Sequence, residues 1–428
     1  MSRPARWIGI ALLSLIGGAL VLAILVAWLN VRGEAPVDAT PPRAATAGQI
    51  ERGAYLARAG NCLGCHTARG GTPYAGGRAV PTPFGNVYAP NLTPDAGTGI
   101  GGWSDSQFWR ALHHGRSRDG RLLYPAFPYP NYTHIERADA DAIHAYLRSL
   151  APVHQPNRPH ELRFPFDQQA ALAVWRALYF RAEPYKPDPA RSAAWNRGAY
   201  LVEALGHCNA CHASRNVLGA ASNPLDLAGG LIPVQNWYAP SLAAPWEAGV
   251  AEWPAADVIA LLKSGVAPRG SVSGPMSDVV LGSTQYLNKS DLDAMAEYLR
   301  ALSPGNAVAP VDPDPPYRPS AVGAKIYEQH CVACHGEQGE GVRGAYPALA
   351  RNRAVLLDST ANLVHIVLEG GFAPSTPGNP RPFGMPPFAT VLNDNEVAAL
   401  LTFLRASWGN QAPPVSALEV SRFRSTSR

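Results

Sequence analysis

The chain has 428 residues, of which 16% are charged, and a formal charge of +4 at neutral pH. That charge is too small and too dispersed for nucleic acid, and the glycines form neither a dinucleotide-binding nor a P-loop pattern. The 41 prolines and 40 glycines point to short helices joined by long, turn-rich connections, and the length suits about three domains.

Residues 1–30 contain 23 uncharged residues from Trp7 to Leu29. A secretory core is roughly 7–15 residues and a bilayer span about 20, so the segment is read as a retained membrane anchor. The alternative is a cleaved signal peptide, but Asn30, Val31 and Arg32 follow instead of a small-x-small cleavage site. Arg3 and Arg6 favour a cytoplasmic N-terminus, with Arg32 on the far side weakening the bias. In either case everything after residue 30 is exported: to the periplasmic face of a bacterial inner membrane, if the anchor stays.

After a Pro/Ala-rich linker at 31–47, one unit occurs three times, with boundaries read at 48–152, 191–303 and 321–409. Each copy opens with an amphipathic helix: RGAYLARAGN at 52–61, RGAYLVEALG at 197–206 and GAKIYEQH at 323–330. CLGCH (62–66), CNACH (208–212) and CVACH (331–335) follow and use all six cysteines. C-x-x-C-H is the attachment signature of c-type haem: two thiols add to vinyl groups along one porphyrin edge, and the next histidine reaches the iron. Cys62, Cys65, Cys208, Cys211, Cys331 and Cys334 are therefore expected as thioether anchors of three covalent haems, and His66, His212 and His335 as proximal ligands. Redox disulfides or half zinc sites do not require a histidine in the next position three times over.

Loops NVYAPNL (86–92) and NWYAPSL (236–242) are expected over the haem edge in the first two units. A middle helix opened by a capping residue comes next, at 103–115, 253–265 and 359–371. Each unit closes with a helix holding Tyr146-Leu147-Arg148, Tyr298-Leu299-Arg300 or Phe403-Leu404-Arg405. Between units lie a connector at 153–190, containing one helix that packs on a neighbouring unit, and a stiff Pro-rich linker at 304–320. A polar, basic tail occupies 410–428. The wide spacing of the copies favours separate globular units over a stacked solenoid.

A His/Met iron has a raised potential, which suits electron transfer. Met276 in SGPMSD and Met385 in FGMPPF precede the closing helices, 64 and 50 positions after His212 and His335, and are read as sixth ligands. Met295 lies in a closing helix and is read as core. At the corresponding place, 61 positions after His66, the first unit has Phe127, which cannot ligate iron. Its sixth position is open, water-filled or taken by a histidine; His134 is the first candidate and His113 and His114 the next. His144, His154 and His160 are read as structural, and His207, His330 and His365 as packing or hydrogen-bonding residues.

Helix, C-x-x-C-H, loop, helix, loop and closing helix together look like a class I cytochrome c domain. The expected fold is thus all-α: three such domains in tandem behind an N-terminal transmembrane helix. Over about 48–412, through GIGGWSD, DGRLLYPAFPYP, RGAYLVEALGHCNACH, GPM, GMPPF and LRASWGN, the chain resembles the three-haem cytochrome c subunit of bacterial membrane-bound dehydrogenases. Members commonly carry a methionine where Phe127 stands; LYPAFPY looks like the variant serving molybdenum hydroxylases that oxidise aldehydes or N-heterocycles. The resemblance implies a catalytic dehydrogenase partner (quinoprotein, flavoprotein or molybdenum hydroxylase) and delivery of electrons to ubiquinone or a terminal oxidase. It implies no substrate site here, and no acid, base or nucleophile set stands out. Two rivals are a haem enzyme or sensor with an open first site, and a cytochrome subunit of a terminal oxidase.

Overall fold

The computed structural model describes residues 3–221, 227–305, 309–311 and 313–424. Helix α1 (Arg3–Val31) stands out from the rest, and none of its apolar stretch Arg6–Val31 is buried. At about 1.5 Å per residue these 26 residues reach about 39 Å, longer than the roughly 30 Å hydrocarbon core of a bilayer.

The first repeat is built on α2 (Ala47–Ala59), α3 (Asp105–His114) and α4 (Arg137–Ser149). Capping boxes open α2 (Thr46 with Gln49) and α3 (Ser104 with Gln107), each side chain satisfying a backbone N–H of the other residue. The connector forms α5 (Gln169–Tyr179), as expected, and it packs on the first repeat through buried Leu172 and Arg176. The second repeat holds α6 (Ala193–Ala199), α7 (Ala255–Ser264), α8 (Pro275–Gly282) and α9 (Lys289–Arg300). The third holds α10 (Ala321–His330), α11 (Ala361–Glu369) and α12 (Asp394–Arg405). Side-chain capping opens α12, through Asn393 and Glu396, but not α7 or α11, whose N-caps are Pro254 and a helical Thr360.

One glycine fixes each repeat. Opening and closing helices cross with backbones in contact: a Cβ added to Gly53, Gly198 or Gly323 would lie 1.9, 2.0 or 2.0 Å from the carbonyl oxygen of Ala142, Ala294 or Ala399. From that glycine to the first cysteine the spacing is 9, 10 and 8 residues in the three repeats. The second repeat, with the longest spacing, absorbs it as a π-helical turn at Tyr200–Leu205.

The chain is mostly helical, but among the described residues the long connections also carry four small sheets that the all-α expectation did not include. The largest pairs Ala79–Thr82 with Gly85–Tyr88 and then Glu161–Leu162, all antiparallel. Backbone in a Gly/Pro-rich loop has no helical partner for its polar groups, and a short ladder satisfies them.

Among the described residues the core divides in two, not three. Leu56, Ile143 and Leu147 of the first repeat belong to the same buried cluster as Leu201, Leu205, Met295 and Leu299 of the second. The third repeat has its own, around Tyr327, Val364, Val397 and Leu401. The expectation of separate globular units therefore needs amending for the first pair.

Tyrosine–aspartate contacts join that pair. Arg52 pairs with Asp139 inside the first repeat and Arg197 with Asp291 inside the second. The tyrosines three residues on cross over: Tyr55 OH donates to Asp291 at 2.6 Å and Tyr200 OH to Asp139 at 2.8 Å. The corresponding residues of the third repeat are Val322, Lys325 and Glu396, which cannot repeat this arrangement. That repeat instead docks on the second through Asn362, which exchanges two hydrogen bonds with the backbone of Tyr238, and through His365 stacked on Trp237 at 4.9 Å.

Residues 410–424 are more than a tail. They fold back so that the buried Arg405 guanidinium donates to the carbonyls of Pro413, Val355 and Leu357. Helix α13 (Ala417–Arg424) then packs Val420 and Phe423 onto the third core. Part of the expected Pro-rich linker (306–308 and 312) and residues 425–428 lie outside the described residues.

Candidate haem-attachment sites

In the first repeat, α2 ends at Gly60, and Asn61 takes a left-handed turn (φ 48°) that starts a new helical turn at Cys62–Cys65. Asparagine tolerates this backbone better than most residues. His207, before Cys208, takes the same conformation (φ 40°). None of the six cysteines is in a disulfide. Among the described residues no group of three or more His, Cys, Asp or Glu is arranged to hold a bare metal ion.

The three histidines share one feature that the sequence reading missed. His66 Nδ1 lies 2.8 Å from the Pro90 carbonyl, His212 Nδ1 2.7 Å from that of Pro240, and His335 Nδ1 3.0 Å from that of Pro347. A carbonyl only accepts, so each Nδ1 carries the proton and each Nε2 keeps a lone pair. That tautomer and anchored ring are what an iron ligand needs. Burial also pulls all three below the ordinary imidazole pKa, with the proline carbonyl opposing, so the rings stay neutral. The first two prolines sit in the Tyr-Ala-Pro loops already singled out; the third, in AYPAL, went unnoticed because it follows its histidine after only 12 residues. Two arginines also escaped notice: Arg78 donates to Gly64 O and Arg215 to Ala210 O, both at 2.6 Å, gripping equivalent carbonyls inside the first two motifs.

Around Cys62, Cys65 and His66 the protein encloses a cavity of about 1400 Å³, walled by Leu92, Ile100, Trp103, Tyr132 and Leu147 among others. Ordinary small-molecule pockets are roughly 300–1,000 Å³, so the space and its apolar walls fit a macrocycle. Phe127 is on this wall, half-buried, with its ring 5.4 Å from that of Tyr132. His134 is not among the lining residues. The short helix Tyr129–Tyr132 turns the chain after Phe127, and the His134 imidazole meets the backbone of Glu183 and Pro184 in the connector. His113 and His114 also lie off the cavity wall: His113 stacks on Trp109, and His114 sits among Arg176, Arg116 and Arg110.

Met276 occupies the first turn of α8, half-buried against the shared core. Met385 pairs in a two-residue strand with Gly371–Phe372 and is half-buried against the third core. Met295 is a core residue, 4% exposed.

The first two sites are stitched together reciprocally. Asn131, just after Phe127, donates to Asn209 Oδ1 inside the second C-x-x-C-H and to Glu203 O, both at 2.6 Å. Ser283, just after α8, donates to Ala59 O at 2.9 Å beside the first. Cys65 is close enough to Cys211 to raise its thiol pKa, an effect secondary to burial. His207 reaches across to Gly60 O at 3.4 Å and forms part of the first cavity's wall.

Comparison with known proteins points to the same cofactor class. A family model described as cytochrome c matches residues 50–151 and 320–408, the first and third repeats. The chain is 37% identical over 398 residues to the cytochrome c subunit of the quinone-type alcohol dehydrogenase of Gluconacetobacter polyoxogenes, covering 88% of this chain and 84% of that one. It is 37% identical to the gluconate 2-dehydrogenase cytochrome c subunit of Pantoea cypripedii, with 88% and 89% covered. Identity reaches 41% over 425 residues with a subunit of the nicotinate dehydrogenase of Pseudomonas putida; that match takes in 96% of this chain but 34% of the longer protein.

Proposed function

The chain belongs to the cytochrome c family, among the cytochrome c subunits of dehydrogenase complexes, and from that premise we propose that it relays electrons through three covalent haems from a catalytic subunit to a membrane acceptor, ubiquinone or a terminal oxidase. The observation that carries the reading is the threefold recurrence of C-x-x-C-H with its histidine Nδ1 held by a proline carbonyl.

When bound, haem supplies reversible one-electron iron chemistry. The chain's own residues fix where that happens. Cys62 and Cys65, Cys208 and Cys211, Cys331 and Cys334 hold the groups by thioethers. His66, His212 and His335 present Nε2 as the proximal ligand, and Met276 and Met385 are the sixth ligands proposed for the second and third. At the first, Phe127 supplies apolar wall and no ligating atom, so no protein ligand is assigned there. Asn131, Asn209 and Ser283 keep the first two sites adjacent, which favours rapid exchange within that pair. In this reading α1 anchors the chain in the inner membrane and the repeats lie in the periplasm.

The partner we favour is a dehydrogenase acting on an N-heterocycle or aldehyde. Support comes from Phe127 in LYPAFPY and from the near end-to-end match of this chain to the nicotinate dehydrogenase subunit. Carbon monoxide added to the reduced protein tests the relay. Little binding supports it; strong binding at one site of three favours a haem enzyme or sensor instead. Isolation of the native complex tests the partner, and co-isolation with a copper/haem oxidase in place of a dehydrogenase would reassign the subunit.

A further inference from the structure

Trp237 joins three loops or helices that the repeat pattern alone does not bring together. It stands three residues before Pro240, whose carbonyl holds His212 Nδ1 at the second site. Its indole packs on Gly274, two residues before Met276: a Cβ built on that glycine would lie 2.7 Å from the ring. One residue thus ties the loop behind the proximal histidine to the loop of the sixth ligand proposed for that site. The same ring stacks on His365 of the third repeat, with centroids 4.9 Å apart and planes 17° from parallel. His365 is 3% exposed, and its Nδ1 lies 2.9 Å from Glu369 Oε1, which sets the orientation of the imidazole.

From His365 the packing continues toward the third site. Helix α11 ends at Gly370, where a built Cβ would lie 2.3 Å from the Met385 carbonyl oxygen. Phe388 and Ala389 donate their N–H groups to Val367 O and Leu368 O at 3.0 and 3.1 Å. The Met385 loop is therefore bonded to the helix that carries His365. Further contacts of the third repeat reach the same neighbour: Arg353 donates to Gly249 O at 2.6 Å and Thr376 to Ser264 O at 3.4 Å. The stacked pair is not a by-product of repetition. Val87 holds the place of Trp237 in the first repeat, and Arg110 and Ala260 hold that of His365 in the other middle helices.

Electronic coupling between two redox centres decays exponentially with separation, and more steeply across a gap than through packed atoms. The protein's share of such chemistry is placement. We propose that Trp237, packed on His365, is the positioning residue that couples the second and third sites, so that electrons pass between the third site and the first pair by way of the second. This rests on the three-haem relay proposed above. Each exchange moves one electron: one site is oxidised as the next is reduced, and no bond forms or breaks.

The test uses the full-length holoprotein, fully reduced. All six native cysteines are assigned to thioethers, so Val391→Cys, at an exposed position of the third repeat, takes a single ruthenium photosensitiser. A flash in the presence of a sacrificial cobalt(III) acceptor oxidises the third site through the ruthenium. The electron that finally refills it comes from the first site, which lacks a methionine ligand and so has the lowest potential and a distinct spectrum. Exchange within the adjacent first pair is the faster leg, so oxidation of the first site times the passage across Trp237. Trp237→Ala should slow it several-fold, and Trp237→Phe should restore most of the rate. Asn362→Ala removes docking hydrogen bonds but keeps the stack, and should stay near the wild-type rate. Midpoint potentials should be unchanged in all three variants. A wild-type rate in Trp237→Ala overturns the proposal. So does equal slowing by Asn362→Ala, which would make Trp237 one docking contact among several, or a shift in potentials that accounts for the slowing. A wild-type protein whose first site never refills the third would overturn the relay itself, and the proposal with it.

Discussion

Tyr55 of the first repeat donates its hydroxyl to Asp291 of the second at 2.6 Å, and Tyr200 returns the same bond to Asp139 at 2.8 Å. Each aspartate also carries the arginine of its own repeat, so one carboxylate serves both the helix crossing within a repeat and the contact between repeats. Tyr55→Phe removes one bond to a charged acceptor and should cost about 1–3 kcal/mol. Denaturant unfolding should still show the first two repeats melting as one transition, with a lower midpoint. Two separated transitions for those repeats in the wild-type protein would contradict a shared core.

A different variant addresses the third repeat alone. Gly323→Ala puts a methyl group 2.0 Å from the Ala399 carbonyl, which must push α10 and α12 apart. Overpacking of this kind costs about 1–3 kcal/mol or more. Because the third core is separate, the loss should appear in the unfolding of that repeat and leave the joint transition of the other two within error. Gly53→Ala should do the reverse.

Phe127→Met restores a thioether on the wall of the first cavity. Under the proposed assignment the first haem should then rise in reduction potential, and any carbon monoxide binding at that site should fall. Spectroelectrochemical titration reads both, and an unchanged potential would mean that residue 127 does not face the sixth position.

Acid should loosen the first repeat at its histidine pair. Burial depresses His113 to about 4, helped by His114, and depresses His114 to about 4, helped by Arg176, Arg116 and Arg110. The unfolded chain takes up these protons near pH 6.5, while the folded protein resists until about 4. Their contribution to stability is therefore complete above about pH 6.5 and lost as pH falls toward 4. The loss is at most about 2 kcal/mol per histidine between pH 7 and 5. His114→Gln should flatten part of that decline in urea midpoints measured across the range; an identical slope would remove His114 from the account.

The attachment motifs, the opening and closing helices, the connector helix and the apolar N-terminal stretch were all legible because they depend on local spacing and periodicity. The cross-repeat pairing was not. Tyr55, Tyr200, Asp139 and Asp291 occur in matching places, but nothing local says that a tyrosine serves the other repeat's carboxylate. The usable sign was the third repeat's departure, with Val322, Lys325 and Glu396 at the equivalent positions. The proline carbonyls behind the histidines are backbone atoms, so side-chain chemistry could not flag them. His134 looked close to the first site in sequence, but the turn at Tyr129–Tyr132 carries it to the connector. The C-terminal helix was hidden by its polar composition, since its apolar anchors on the core are Ala417, Val420 and Phe423, each three residues from the next.

The central claim is threefold covalent haem attachment, and the intact mass of the mature polypeptide tests it most directly. The account predicts an increment of three haem groups that survives denaturation in acid, reduced to two when Cys62 and Cys65 are both replaced by alanine. A mass with no added tetrapyrrole, or an increment that the double replacement leaves unchanged, would contradict it.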